Sequence, residues 1–199
     1  MYSDRKKKDI ILKYTKEMEI IKLRIDLIFS LKNNLGYIQP TVEFLALQLR
    51  KIIEQIVLSS LITNSEKYRE YYNKLGSVWR IDYICKDIEE INEDFFPTPV
   101  VDDHEAHELK DRDGCINKEK LLEAHTKMGK LLHAENPFGT EIDYEEMREY
   151  IFEICRRIIE LLNSHITKLY GGNSFLYVIM REESNGKVAI DWFEKSNNS

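Results

Sequence analysis

From Pro40 to Asn64 the chain reads PTVEFLALQLRKIIEQIVLSSLITN, and thirteen of the 21 residues from Val42 to Ile62 are apolar. They fall on every side of a helical wheel, which marks a helix buried all round rather than one with a wet face. Arg50, Lys51 and Glu54 in its middle exclude a membrane span, because charges are costly in lipid. This stretch is the expected central helix of a helical domain. It carries Arg50 and Glu54, one turn apart, into or beside the core.

Upstream, Ile11, Tyr14, Met18, Ile21, Ile25 and Ile28 step by 3, 4, 3, 4 and 3 residues, the rhythm of a helix with one narrow seam. That predicts a helix over about 4–33, packed on its own domain or against a second subunit, with Gly36 past its end. Downstream, Ser65 opens a short helix bearing Tyr68, Tyr71 and Tyr72. A further helix over 77–92 turns Val78, Trp79, Ile81, Ile84, Ile88 and Ile91 inward. The prolines of FFPTPV keep residues 95–100 extended, and without apolar periodicity about 95–116 reads as a long surface loop. Asn117 caps the next helix, KEKLLEAHTKMGKLLHAE, whose inner face is expected to hold Leu121, Leu122, His125, Met128, Leu132 and His133. Asp143 caps the last, through Tyr170, with Tyr144, Met147, Ile151, Ile154, Ile158, Leu162 and His165 on its inner stripe. Two β-rich runs, 174–181 and 187–194, flank EESNG, where Asn185-Gly186 signals a hairpin. The expected architecture is mainly α: an antiparallel bundle of about six helices over 1–172, with a C-terminal β-hairpin (173–199) packed on it because a lone hairpin is marginal in water.

Composition narrows the function classes. With 43% hydrophobic and 32% charged residues the 199-residue chain is globular, and its net charge of −6 gives no general basic footprint for nucleic acid. The charge is uneven: eleven acidic against three basic residues lie between Lys86 and Asp113, which leaves a mildly basic remainder. Cys85, Cys115 and Cys155 are odd in number and widely spaced, which suits a reduced, cytoplasmic setting better than a disulfide framework. No membrane segment and no cofactor is expected.

Four constellations can carry chemistry. Asp102, Asp103, His104 and His107 contain metal-ligand types, but H-E-A-H is one residue short of H-E-x-x-H, so a solvated acidic loop is the expectation. Asp111-x-Asp113-Gly114 resembles part of a calcium loop, yet Leu109 and Lys120 stand where it needs acids. Cys85 and Cys155 are expected as small hydrophobes rather than nucleophiles. That leaves Arg50 and Glu54 with Lys127, His133, Glu135 and Asn136. Glu54 is placed to hold Arg50, whose guanidinium can otherwise grip a phosphate. His133, at a helix end, suits acid–base work. An internal polar network closing the bundle is the plainer alternative.

The stretches LRKIIE and GKLLHAENP, on two helices in this order, resemble the HEPN superfamily of small helical bundles over roughly residues 40–170. The resemblance implies a role in toxin–antitoxin or other phage-defence systems, homodimerisation, and, in many members, metal-independent ribonuclease activity from an R-x(4–6)-H motif. If His133 is the motif histidine, positions 126–128 hold Thr126, Lys127 and Met128 instead of arginine. The expectation is therefore a non-catalytic binding or regulatory protein contacting RNA or a nucleotide phosphate through Arg50, Glu54 and Asn136. The alternatives are a ribonuclease using His133 with Lys127, and a helical protein–protein interaction module. A homodimer or a partner protein is expected on the N-terminal helix.

Overall fold

The structure, a computed structural model, describes residues 2–33, 36–72, 80–103, 108–134 and 141–194. In chain order these form α1 (Asp4–Ser30), α2 (Ile38–Thr63), α3 (Ser65–Tyr72), α4 (Ile81–Ile91), β1 (Thr98–Asp103), β2 (Glu108–Asp111), α5 (Lys118–Leu131), α6 (Tyr144–Leu162), β3 (Ser164–Lys168), β4 (Ser174–Ile179) and β5 (Ala189–Glu194). The helix expected at Pro40 is α2. Pro40 is its third residue, where the amide has no intrahelical acceptor to lose. The helix buries Val42, Leu45, Leu49, Ile52, Ile53 and Ile56 completely, each contributing roughly 1.5–3 kcal/mol of apolar burial.

Around α2 the other helices close with the stripes that periodicity marks. From α1 come Ile10, Tyr14, Met18, Ile21, Ile25 and Ile28, from α4 Ile84 and Ile88, from α5 Leu121 and Met128, and from α6 Ile151, Cys155 and Ile158, all buried. The seam of α1 is thus consumed inside the molecule. Arg24 clasps it to α2 by donating to Gln48 and Gln55. Both expected caps form: Asn117 accepts from the Lys120 amide and Asp143 from the Glu146 amide.

The mainly-α expectation is overturned by the sheet. Five antiparallel strands run in the order β2-β1-β3-β4-β5, so the fold is mixed α/β and the C-terminal hairpin is only part of a larger element. Two segments differ from the expectation. The expected loop at 95–116 contains β1 and β2, paired from Val100↔Asp111 to Asp103↔Glu108. The last helix stops at Leu162, and the residues read as its final turns are β3. SHITK alternates half-buried and buried positions, and its β-branched Ile166 and Thr167 suit a strand. A helix-period reading hid this because His165 falls on the apolar stripe of α6 and on the inner face of β3 alike. With β3 between them, the edge pair β1–β2 and the pair β4–β5 become one sheet with a buried inner row, His165, Thr167, Leu176 and Val178. A sheet with such a face is stable where a lone hairpin is not.

Two polar clusters, one half-buried and one in the core, join helices to sheet. Asn92, just past α4, donates from Nδ2 to Asn64 Oδ1 (2.9 Å) and to the Lys168 carbonyl (3.1 Å), tying the ends of α2, α4 and β3 together. In the core, His165 Nδ1–H donates to the Leu162 carbonyl (2.8 Å), so its Nε2 accepts from the Tyr14 hydroxyl (3.0 Å). Burial drives the imidazole pKa down to about 4, against the opposing effect of the Leu162 bond. The ring is therefore neutral and structural.

Candidate functional site

Four-residue spacing builds the site. On α2, Arg50 and Glu54 lie one turn apart. On α5, His125, Gly129 and His133 follow one another at the same interval, so they lie on one side of that helix and its C-terminal continuation. Together with Arg80, Ile81 and Asp82 at the start of α4, and Leu122, Thr126 and Lys130 of α5, they line an open cleft of about 380 Å³.

At its centre one carboxylate oxygen organises a guanidinium and an imidazole. Glu54 Oε1 accepts from Arg50 Nε (3.1 Å) and from His125 Nε2 (3.0 Å). Burial raises the Glu54 pKa, but the hydrogen bonds from His125 and Arg50 outweigh it and hold the carboxyl below its usual range. The pair sits beside the core rather than within it, with Arg50 36% and Glu54 31% exposed. Arg50 lies directly over Gly129, where an added Cβ would stand 2.6 Å from its Nη1. Glycine inside a helix costs roughly 1 kcal/mol relative to alanine, and here it clears space for the guanidinium. At the mouth, Arg80 forks onto Asp82 through Nε (3.2 Å) and Nη2 (2.6 Å) and lies over the Tyr83 ring. Lys130, in the last turn of α5, and exposed His133 complete the rim.

Of the residues singled out from the sequence, Arg50, Glu54 and His133 share this cleft and Lys127 does not. Two positions from His125 is about 200° around a helix, and Lys127 Nζ instead lies 3.9 Å from the centre of the Tyr150 ring on α6. Asn136, Glu135, His104 and His107 lie outside the described residues. Sequence reasoning missed His125, Arg80, Lys130 and Gly129 as site residues. The His125-Gly129-His133 spacing was the available signal, masked because His125 also fits the inner stripe of α5.

Among the described residues no group of three or more His, Cys, Asp or Glu is placed to hold a metal. Asp111 lies in β2. Cys85 and Cys155 are buried, and burial pushes both thiols up to about 12, so neither supplies a thiolate at neutral pH. No described helix is long and apolar enough to cross a membrane. Compared with protein-family models, with curated proteins and with solved structures, the chain finds no match.

Proposed function

We propose that this is a HEPN-like binding or regulatory protein of a defence or toxin–antitoxin type system, cytoplasmic in setting, whose cleft takes the phosphate of an RNA or nucleotide. The observation that carries the reading is the convergence of Arg50, Arg80, Lys130, His125 and His133, from three helices, around one open concavity. Glu54 occupies Nε of Arg50 and leaves the Nη edge to donate, the geometry that suits a phosphate's paired oxygens. Lys130 adds a mobile point charge at the rim. Carboxylates already hold the two arginines, so the cleft is polar and mixed in charge. That favours recognition of a discrete phosphate over a long polyanion.

A second reading, a metal-independent endoribonuclease, draws on the Glu54–His125 bond. A carboxylate that takes Nε2–H fixes the ring and leaves Nδ1 free as a base, with His133 two turns away as the second acid–base group. Against it, Lys127, the counterpart of the motif arginine, is turned to Tyr150.

Binding of a labelled single-stranded RNA and of ATP, followed by fluorescence polarisation and calorimetry at low salt, tests the proposal. Arg50→Ala and Lys130→Ala should each weaken binding about tenfold or more, roughly 1.4 kcal/mol, with little change in melting temperature. Failure of both ligands to bind, or variants that bind as the parent does, would overturn it. RNA cleavage abolished by His133→Ala and by His125→Ala would select the second reading.

A further inference from the structure

Away from the cleft, an apolar pit opens where α1 meets the ends of α6 and β4. It holds about 110 Å³ and is walled by Ile25 and Phe29 of α1, Ile159 and Leu162 of α6, and Met180 just past β4. Ile25, Leu162 and Met180 are buried, and Phe29 packs on the Phe152 ring behind it. The Met180 amide donates to the Asn163 carbonyl (3.0 Å), which ties the β4 wall to the α6 wall. The pit is therefore preformed, and its size limits what can enter. An apolar cavity of about 150 Å³ takes benzene. A pit of about 110 Å³ suits one branched aliphatic or thioether side chain and is far too small for an acyl chain.

Its rim carries opposite charges side by side. Asp26 and Arg181 both line the pit, and Arg181 donates from Nη2 to Asp26 Oδ1. Both side chains are about half exposed, 54% and 50%. Among the described residues, Asp26 Oδ2 and the Nε and Nη1 of Arg181 have no partner. A third charge, Lys22, is engaged elsewhere: its Nζ donates to the Gly186 carbonyl (2.8 Å) and pairs with Glu19. Asn163 adds an uncharged side-chain amide to the rim. A simple anion here meets Asp26, and a simple cation meets Arg181. A ligand that carries both charges close together satisfies both residues.

We infer that this pit binds a free apolar α-amino acid of the leucine, isoleucine, valine or methionine class. The side chain enters the pit, the ammonium group donates to Asp26, and the carboxylate accepts from the unpaired N–H groups of Arg181. One carbon atom carries all three groups, so the apolar anchor and the two charges are read together. The pit shares no residue with the α2–α4–α5 cleft, and the inference does not depend on the phosphate reading of that cleft. A ligand held there touches α1, α6 and β4 at once and stabilises the folded chain by mass action.

Isothermal titration calorimetry of the full chain with L-leucine, L-isoleucine, L-valine and L-methionine tests this. At least one should bind with a dissociation constant below about 1 mM and raise the melting temperature at saturation. L-Alanine leaves the pit empty and L-tryptophan exceeds it, so each should bind about tenfold or more weakly. N-Acetyl-L-leucine lacks the ammonium group and L-leucinamide lacks the carboxylate, and each should lose about tenfold or more. Asp26→Asn and Arg181→Gln should lose as much. Both side chains are half exposed, so the circular dichroism of the variants should be unchanged; if either fails to fold, the two blocked ligands carry the test alone. Absence of binding by all four amino acids at about 10 mM overturns the inference. So does equal binding of the blocked compounds, which would mark a plain apolar hole or a site for a peptide. Two folded variants that bind as the parent does overturn it as well.

Discussion

Protonation of His165 should destabilise the protein in a definite pH window. The imidazole is fully buried, hydrogen-bonded at both nitrogens, and its pKa falls from 6.5 to about 4 on folding. Between those values the unfolded chain binds the proton and the folded one does not, so stability is fully present above about 6.5 and is lost as the pH falls. The linkage relation gives a loss of about 2 kcal/mol near pH 5 and about 3 kcal/mol near pH 4. For a urea m-value of about 2 kcal/mol/M, the first figure lowers the midpoint by about 1 M. Carboxylates also titrate in this range; Glu54, for example, is held below its usual pKa. The readout is therefore the difference in slope between wild type and His165→Gln, from urea denaturation at several pH values. Gln cannot titrate, so its curve should be flatter between pH 6.5 and 4 whatever its absolute stability. Equal slopes in the two proteins would refute the assignment of His165 as a buried neutral histidine.

Three further outcomes follow from the same geometry. Glu54→Ala frees both Arg50 and His125, but the site is about a third exposed, so water replaces much of what is lost. Thermal or chemical unfolding should show a cost of about 1 kcal/mol, and a loss of several kcal/mol would mean the pair is part of the core. Asn92→Ala strands the buried Asn64 Oδ1 and the Lys168 carbonyl and should cost about 2 kcal/mol; a neutral result would remove this junction from the account of how α4 meets the sheet. In the folded protein iodoacetamide should alkylate half-buried Cys115 first, with Cys85 and Cys155 protected by burial and raised pKa. Mass spectrometry showing Cys155 modified early would contradict the core assignment.

Helices α1, α4, α5 and α6 were legible because each carries an apolar stripe at the helical period, and α2 because it is apolar on every side; the caps at Asn117 and Asp143 mark where α5 and α6 begin. The sheet was half hidden for a physical reason. β1, TPVVDD, is a short proline-bearing strand whose acidic half gives no apolar alternation, and it takes its place by pairing with β2 and β3. β3 itself directly follows α6, so five residues of alternation were absorbed into a long helical pattern. In the site, Arg50 and Glu54 stood out as charges in an apolar helix, and His133 as a histidine at a helix end. His125 did not, because a histidine on an apolar stripe reads as core until α2 is seen beside it. Gly129 was silent for a related reason. Its meaning lies in the Arg50 side chain above it, a contact between helices about eighty residues apart in sequence.

The central claim, that Arg50 and Lys130 face a phosphate in the α2–α4–α5 cleft, is tested most directly by the salt dependence of RNA affinity. For single strands, the two cationic contacts of Arg50 and Lys130 give a slope of log affinity against log salt of about −1.4. The account predicts that slope for the wild type and a slope shallower by about 0.7 in each of Arg50→Ala and Lys130→Ala. An RNA affinity that does not change with salt, or a slope that both variants leave untouched, would contradict it.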